Sequence, residues 1–197
     1  DNANNASAWT AASVTLVAEE AEISIALTPA GSNALHTNNQ KPTIDVTVAF
    51  PPSTEGESVE LYINDGDAVE LDLTGGTHVP AQNLPLGFNT VRVVATDVDG
   101  VVTTFEKTIL VDTTAPTISG AIPASDKVVL GDSAISAAFA DAGGASIDTT
   151  GVTITVNGVD VTDDAEITAA GVTYAPDVAL ADGAVNVVVS GLKDSAG

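Results

Sequence analysis

The chain repeats itself, and both copies are written in strands. "LYINDGDAVEL" (61–71) and "ITVNGVDVTDD" (154–164) each set an Asn-Asp-Gly or Asn-Gly turn between alternating apolar residues. Such a turn supplies the residues tolerant of positive φ that a tight hairpin needs. Further on, "LPLGFNTVRVVATDVDG" (84–100) matches "VALADGAVNVVVSGLKDSAG" (178–197): a Gly turn, a valine-rich strand, then an Asp/Gly loop. The copies lie about one sandwich domain apart, as tandem modules of about 100 residues require. Between these landmarks "TIDVTVAF" (43–50), "TTFEKTILV" (103–111) and "AISAAFA" (134–140) alternate in parts at period two. Pro51-Pro52, Gly75-Gly76, Gly143-Gly144 and Asp182-Gly183 mark turns between strands. No βαβ alternation interrupts the run, so the expected class is all-β. One stretch, residues 6–22, is also compatible with a helix, being rich in Ala and Glu.

Composition narrows what such a chain can do. Apolar residues make up 44% but aromatics only 4%, so the cores are expected to be thin layers of Val, Ile, Leu and Ala. Against 27 acidic residues stand 5 basic ones, for a formal charge of −22. A nucleic-acid partner needs a basic footprint, and anionic lipid surfaces repel this charge. The same carboxylates suit solubility and hard cations. There is no cysteine, which removes thiol catalysis, disulfides and Cys-based zinc sites. No apolar run approaches the roughly 18 residues of a membrane span. With no methionine in the sequence, the chain is expected to be processed or part of a longer protein.

"VDTTAPTIS", "VTITVNGVDVT", "LADGAVNVVVSGLKDSAG" and "VVATDVDG" together resemble the tandem bacterial Ig-like repeats of large surface adhesins and secreted filament proteins. The likeness covers most of the chain in two copies, and the Asp-Thr-Thr-Ala-Pro linker is its most specific element. It implies extracellular or cell-surface, non-enzymatic modules that act as spacers or adhesive units, and no particular ligand. The expected organisation is two tandem Ig-like β-sandwich domains preceded by an extra N-terminal strand. Residues 1–22 form that segment, 23–112 domain 1, 113–116 a linker and 117–197 domain 2.

The first copy runs on from Gly100 into a final strand, "VVTTFEKTILV", and the second has no such continuation. The opening "DNANNASAWTAASVTLV" reads as an Asp/Asn loop followed by a strand of that kind. Residues 14–17 match 108–111, and Trp9 loosely matches Phe105. The segment is therefore expected to complete another module: either a neighbouring copy's domain 2, or a covalent neighbour in one long array. Trp9, Val14, Leu16 and Val17 are the assembly residues, with Val14 and Leu16 as anchors on one face. The expected partners are copies of the same chain or flanking Ig-like modules. A carbohydrate- or protein-binding module of a larger secreted protein is the rival from another class.

Calcium is the one cofactor the sequence suggests. Asp97, Asp99 and Asp112 are the candidate ligands, in a site between modules; "DVDG" (97–100) lacks the glycine and glutamate an EF-hand loop requires further on. Asp141 and Asp148 flank a flexible Gly pair and form a weaker candidate. His36 and His78 are expected at the surface. No nucleophile–base motif is present, and the scattered aromatics offer no sugar platform, so no enzyme is expected.

Overall fold

The computed structural model describes residues 19–197. Module 1 comprises β1 (Glu22–Thr28), β2 (His36–Thr37), β3 (Thr43–Ala49), β4 (Gly56–Ile63), β5 (Val69–Leu71), β6 (Gly75–His78), β7 (Gly87–Asp97) and β8 (Val102–Val111). Module 2 comprises β9 (Thr117–Ile122), β10 (Ile135–Ala140), β11 (Ile147–Asp148), β12 (Thr153–Val156), β13 (Val159–Asp160), β14 (Ala165–Thr168), β15 (Gly171–Tyr174), β16 (Val187–Ser190) and β17 (Lys193–Asp194). A single 3-10 turn, Thr162–Asp164, precedes β14. The chain is all-β, two Ig-like sandwiches in tandem. Residues 19–21 are not helical and Glu22 opens a strand, so the helical option fails over the part that is described.

Module 1 packs a sheet of order β1-β3-β6 on a sheet of order β2-β8-β7-β4-β5. Period-two patterning builds its core. Ile44, Val46 and Val48 point inward from β3, Val59 and Leu61 from β4, Val91, Val93 and Ala95 from β7, and Ile109 and Val111 from β8. Fully burying each of the larger ones contributes about 1.5–3 kcal/mol. The hairpin after β4 turns through Asn64 and Asp65 at φ 50 and 56, and the one after β12 through Asn157 and Gly158 at φ 52 and 79. Gly75 is no loop residue: it opens β6 at φ +93, and a Cβ there would strike the Val46 carbonyl.

Module 2 packs β14-β15-β10-β9 on β13-β12-β16, with β11 and β17 paired beside them. Its core is Phe139, Val152, Ile154, Val156, Val161 and Val172. The two modules share a frame that can be pinned atom by atom. Asn64 N donates to Thr90 O at 3.0 Å while Thr90 N donates to Asn64 Oδ1 at 2.8 Å. Asn157 N donates to Asn186 O at 2.7 Å while Asn186 N donates to Asn157 Oδ1 at 2.9 Å. Thus β12 and β16 are the counterparts of β4 and β7. Among the described residues no helix is long and apolar enough to cross a membrane.

Candidate functional site

Two places stand out, a joint between the modules and a groove in the second. Each module has a front end, with the turn that follows β7 or β16, and a rear end, with the loop after its first strand. At the joint, the rear of module 1 meets the front of module 2. Strand β8 runs straight into it: Ile109 and Val111 face the module 1 core, and Leu110 between them packs on Ala145 and Ala196 of module 2. His36 Nδ1 lies 2.6 Å from Ser195 Oγ, and Asn33 N donates to Ser195 O at 3.3 Å. Asn38 Nδ2 donates to Gly197 O.

Asp112 sits at the centre of this joint, 2% exposed. Its Oδ1 accepts from Thr114 N at 2.8 Å and its Oδ2 from Ala145 N at 2.9 Å, so it ties the linker to module 2. A Cβ at Gly143 would land on this carboxylate, which is why a glycine is needed there. Asp194, also buried, accepts from Ala196 N and Gly197 N through Oδ1 at 2.8 and 2.9 Å. Asp141 Oδ1 accepts from Gly143 N at 3.3 Å, while its Oδ2 is buried without a hydrogen-bond partner. One oxygen of each of these three aspartates lies within 4.8 Å of the others. Three carboxylates so close, removed from water, repel one another unless a cation or protons intervene. The neighbouring Lys193 does not neutralise them, because its Nζ turns to Asp148 Oδ2 at 3.4 Å.

The calcium candidates of the sequence are therefore split. Asp97 and Asp99 lie at the front of module 1, whereas Asp112 follows the rear end of β8; nine residue steps along that strand separate the two places by about 30 Å. Asp97 caps its own turn, accepting from Asp99 N at 3.0 Å and Val101 N at 2.8 Å through Oδ1. Asp112 instead joins Asp141 and Asp194. Asp141 carried a weak signal beside its Gly pair. Asp194 carried none of its own, although it matches Asp97 in the repeat and caps the same kind of turn. His36 and His78 are in strands and half-buried rather than on surface loops. Burial lowers the His36 pKa below its ordinary value, against an upward pull from Asp194 and Asp112.

The groove lies along β16. This strand pairs with β12 on one edge and has no strand on the other among the described residues. Its counterpart β7 is flanked on both sides, by β4 and by β8. Strand β8 is in turn held on its far side by β2, in parallel, His36 opposite Leu110 and Thr37 opposite Val111. Module 2 keeps the far-side segment as well. Gln40 O accepts from Leu84 N at 2.8 Å in module 1, and Gly131 O accepts from Leu180 N at 2.9 Å in module 2. The residues just before Gly131 thus stand where β2 stands, and they are apolar and bare: Val128 is 100% exposed and Leu130 76%. Between them and β16 is a cavity of about 760 Å³ whose walls include Ile118, Val129, Leu130, Val185, Val187 and Val189. The assembly residues Trp9, Val14, Leu16 and Val17 lie outside the described residues.

No protein-family model and no curated protein matches the chain. Among solved structures it is similar to the fibronectin(III)-like modules of Clostridium thermocellum CbhA, at 16% identity over 85% of each chain with a TM-score of 0.44. At that identity and score the likeness carries no argument about function.

Proposed function

We propose that this chain is a non-enzymatic structural module of an extracellular surface filament or adhesin, assembled end to end by strand complementation. One observation carries the reading: module 2 has both neighbours of a final strand, β16 and the residues before Gly131, with a cavity between them whose walls include Ile118, Leu130, Val187 and Val189. An open edge beside uncovered apolar side chains is an aggregation hazard unless something pairs with it. An incoming extended segment gains main-chain hydrogen bonds along β16 and buries alternate side chains.

Residues 9–17 of another copy are the proposed occupant. In the register that matches residues 14–17 to 108–111, the same chain cannot supply Val17 to the groove. Glu19 accepts from Ser53 Oγ at 3.4 Å and Ala21 N donates to Thr103 Oγ1 at 3.0 Å, which fixes residues 19–21 at the front of module 1. The groove lies beyond the rear of that module, more than about 30 Å away, while the single residue between Val17 and Glu19 spans about 7 Å. With residues 14–17 matched to 108–111, Val17 takes the core position of Val111. Leu16 takes that of Leu110, which is buried at the joint. A rival supply of the strand is the next covalent module of one long chain. A carbohydrate- or protein-binding role would place a ligand in the groove instead.

The test is deletion of residues 1–17, with Leu16→Asp as its point-mutant form. Both should abolish end-to-end assembly seen by sedimentation and electron microscopy, and a synthetic peptide of residues 1–18 should bind the truncated chain. Assembly that survives the deletion sinks the reading. Ester, peptide and glycoside substrates should show no turnover above buffer.

The joint favours a cation as part of the same structural role, on the strength of the buried, unpartnered Asp141 Oδ2. Asp112, Asp141 and Asp194 offer the hard oxygen donors calcium prefers. Millimolar calcium should then raise the melting temperature more than magnesium does, because a ligand bound only by the folded state stabilises it. Asp141→Asn should remove the difference. No shift between chelator and calcium would take the cation out of the reading.

A further inference from the structure

We infer that the front end of module 1 is a docking face for the rear end of module 2 in a second copy of this chain, with Lys127 set against Asp99. The inference rests on the end-to-end reading and names the surface that closes behind the shared strand. Its basis is the joint inside the chain, which shows how a rear end and a front end of this fold fit together.

On the front side, the turn of module 2 that enters the joint has a counterpart in module 1. Asp194 Oδ1 accepts from Ala196 N and Gly197 N, and Asp97 Oδ1 accepts from Asp99 N and Val101 N. Val98 and Asp99 therefore stand where Ser195 and Ala196 stand. Ser195 and Ala196 are buried against module 1, whereas Val98 is 58% exposed and Asp99 is exposed beside it. On the rear side, His36 lies four residues before Gln40, and Lys127 lies four residues before Gly131, the two residues whose carbonyls take the matching Leu84 and Leu180 amides. Lys127 thus holds the place of His36, which in the internal joint touches Ser195.

Chain direction agrees with this pairing. A donor strand antiparallel to β16, as β8 is to β7, enters module 2 at the internal joint and leaves at the rear end. The donor's own module 1 follows after residue 18, front end first, so its front must rest on the acceptor's rear. Charge agrees as well. The front end carries Asp99, Glu55, Glu19 and Glu20, and among 27 acidic residues in the chain there are only 5 basic ones, of which Lys127 is placed to meet them. Two copies of such a chain repel at long range, and a complementary pair at the rim mainly governs encounter and register. Contacts of this head-to-tail kind, between unlike surfaces, propagate rather than close.

Charge reversal tests this in the full chain. Asp99→Lys and Lys127→Glu should each raise the concentration needed for half-assembly about fivefold at low salt, with the difference fading as salt rises. The double variant should return to within about twofold of the parent, since the pair is restored with its signs exchanged. Below the assembly concentration, the Asp99→Lys chain should bind a labelled peptide of residues 1–18 as the parent does, because Asp99 is in the other module from the groove. Single variants that assemble like the parent, or a double variant weaker than either single one, overturn the docking face alone. A parent chain that neither binds the peptide nor assembles overturns the strand reading and the docking face with it.

Discussion

Modules 1 and 2 share the frame of β4 and β7 with β12 and β16, and they differ in what flanks β7 and β16. In module 1, Val91 and Val93 of β7 are wholly buried, because β8 closes the sheet beside them. In module 2, Val187, the counterpart of Val91, is 37% exposed, and Val188 is 46% exposed. The neighbouring positions differ in kind too. Arg92 stacks over the Tyr62 ring at 4.0 Å on the outer face of β7, whereas Val188 takes that place on β16. One strand with alternating polarity is flanked by its neighbour; the other is apolar on both faces and, among the described residues, paired on one edge only. The core of such a sandwich is a property of strand pairing as much as of composition, so an unpaired edge leaves more apolar surface bare than the residues along it alone would suggest.

The largest expected effect comes from filling that difference. The chain should melt in two steps by calorimetry, module 2 first. Saturation with the peptide of residues 1–18 should raise the lower step only, by on the order of 10 °C for the burial of Val17 in the place of Val111, at about 1.5–3 kcal/mol. A peptide that raised the upper step, or neither, would break the comparison.

Core truncation probes the same contrast on a smaller scale. Leu61→Ala and Ile154→Ala remove matched, fully buried side chains, each expected to cost about 2–5 kcal/mol. Leu61→Ala should lower the upper step. Ile154→Ala should lower the lower one and sit nearer the small end of the range, because the cavity beside it lets neighbours relax. Equal shifts of both steps by either variant would mean the modules do not unfold separately. Smaller again is Gly143→Ala, whose Cβ overlaps the Asp112 carboxylate. It should cost about 1–3 kcal/mol and remove the calcium-dependent shift while leaving the Leu61 core intact. Unchanged calcium dependence would place the cation elsewhere.

Much of this fold is legible in the residues. The period of the valines, the Asn-Gly turns and the duplicated Asp/Gly loop are local signals, and they lead directly to paired strands. The match of residues 84–100 with 178–197 is legible as well, and it sets β16 in the place of β7. The joint is not. Asp112, Asp141 and Asp194 belong to three separate segments, brought together by the packing of Leu110 on Ala145 and Ala196, the Ala145 N–Asp112 bond and the pairing of β11 with β17. Reading Asp97 with Asp112 failed because the two are near in sequence but at opposite ends of β8. His36 misled for a similar reason: its polar neighbours suggest a surface loop, and a contact with Ser195 far along the chain half-buries it.

His36 also yields the smallest effect, and it separates the internal joint from the joint between copies. Burial holds its pKa below the ordinary 6.5, even though Asp194 and Asp112 pull it upward. The folded joint therefore favours the neutral ring, and the unfolded chain binds more protons once the pH drops below the unperturbed value. The contribution of His36 to stability is complete above about pH 6.5 and is lost as the pH falls from there toward the lowered folded value. With calcium on the aspartates their charge is offset, the upward pull weakens, and the loss should move to lower pH. Lys127, in the matching place at the rear of module 2, carries no imidazole. Melting curves between pH 5 and 8 should thus show a modest softening of the internal joint that His36→Gln removes, while assembly between copies is unaffected by that variant. A pH profile that His36→Gln leaves unchanged would assign the titration to another group. Equal pH sensitivity of both joints would deny that Lys127 stands in for His36.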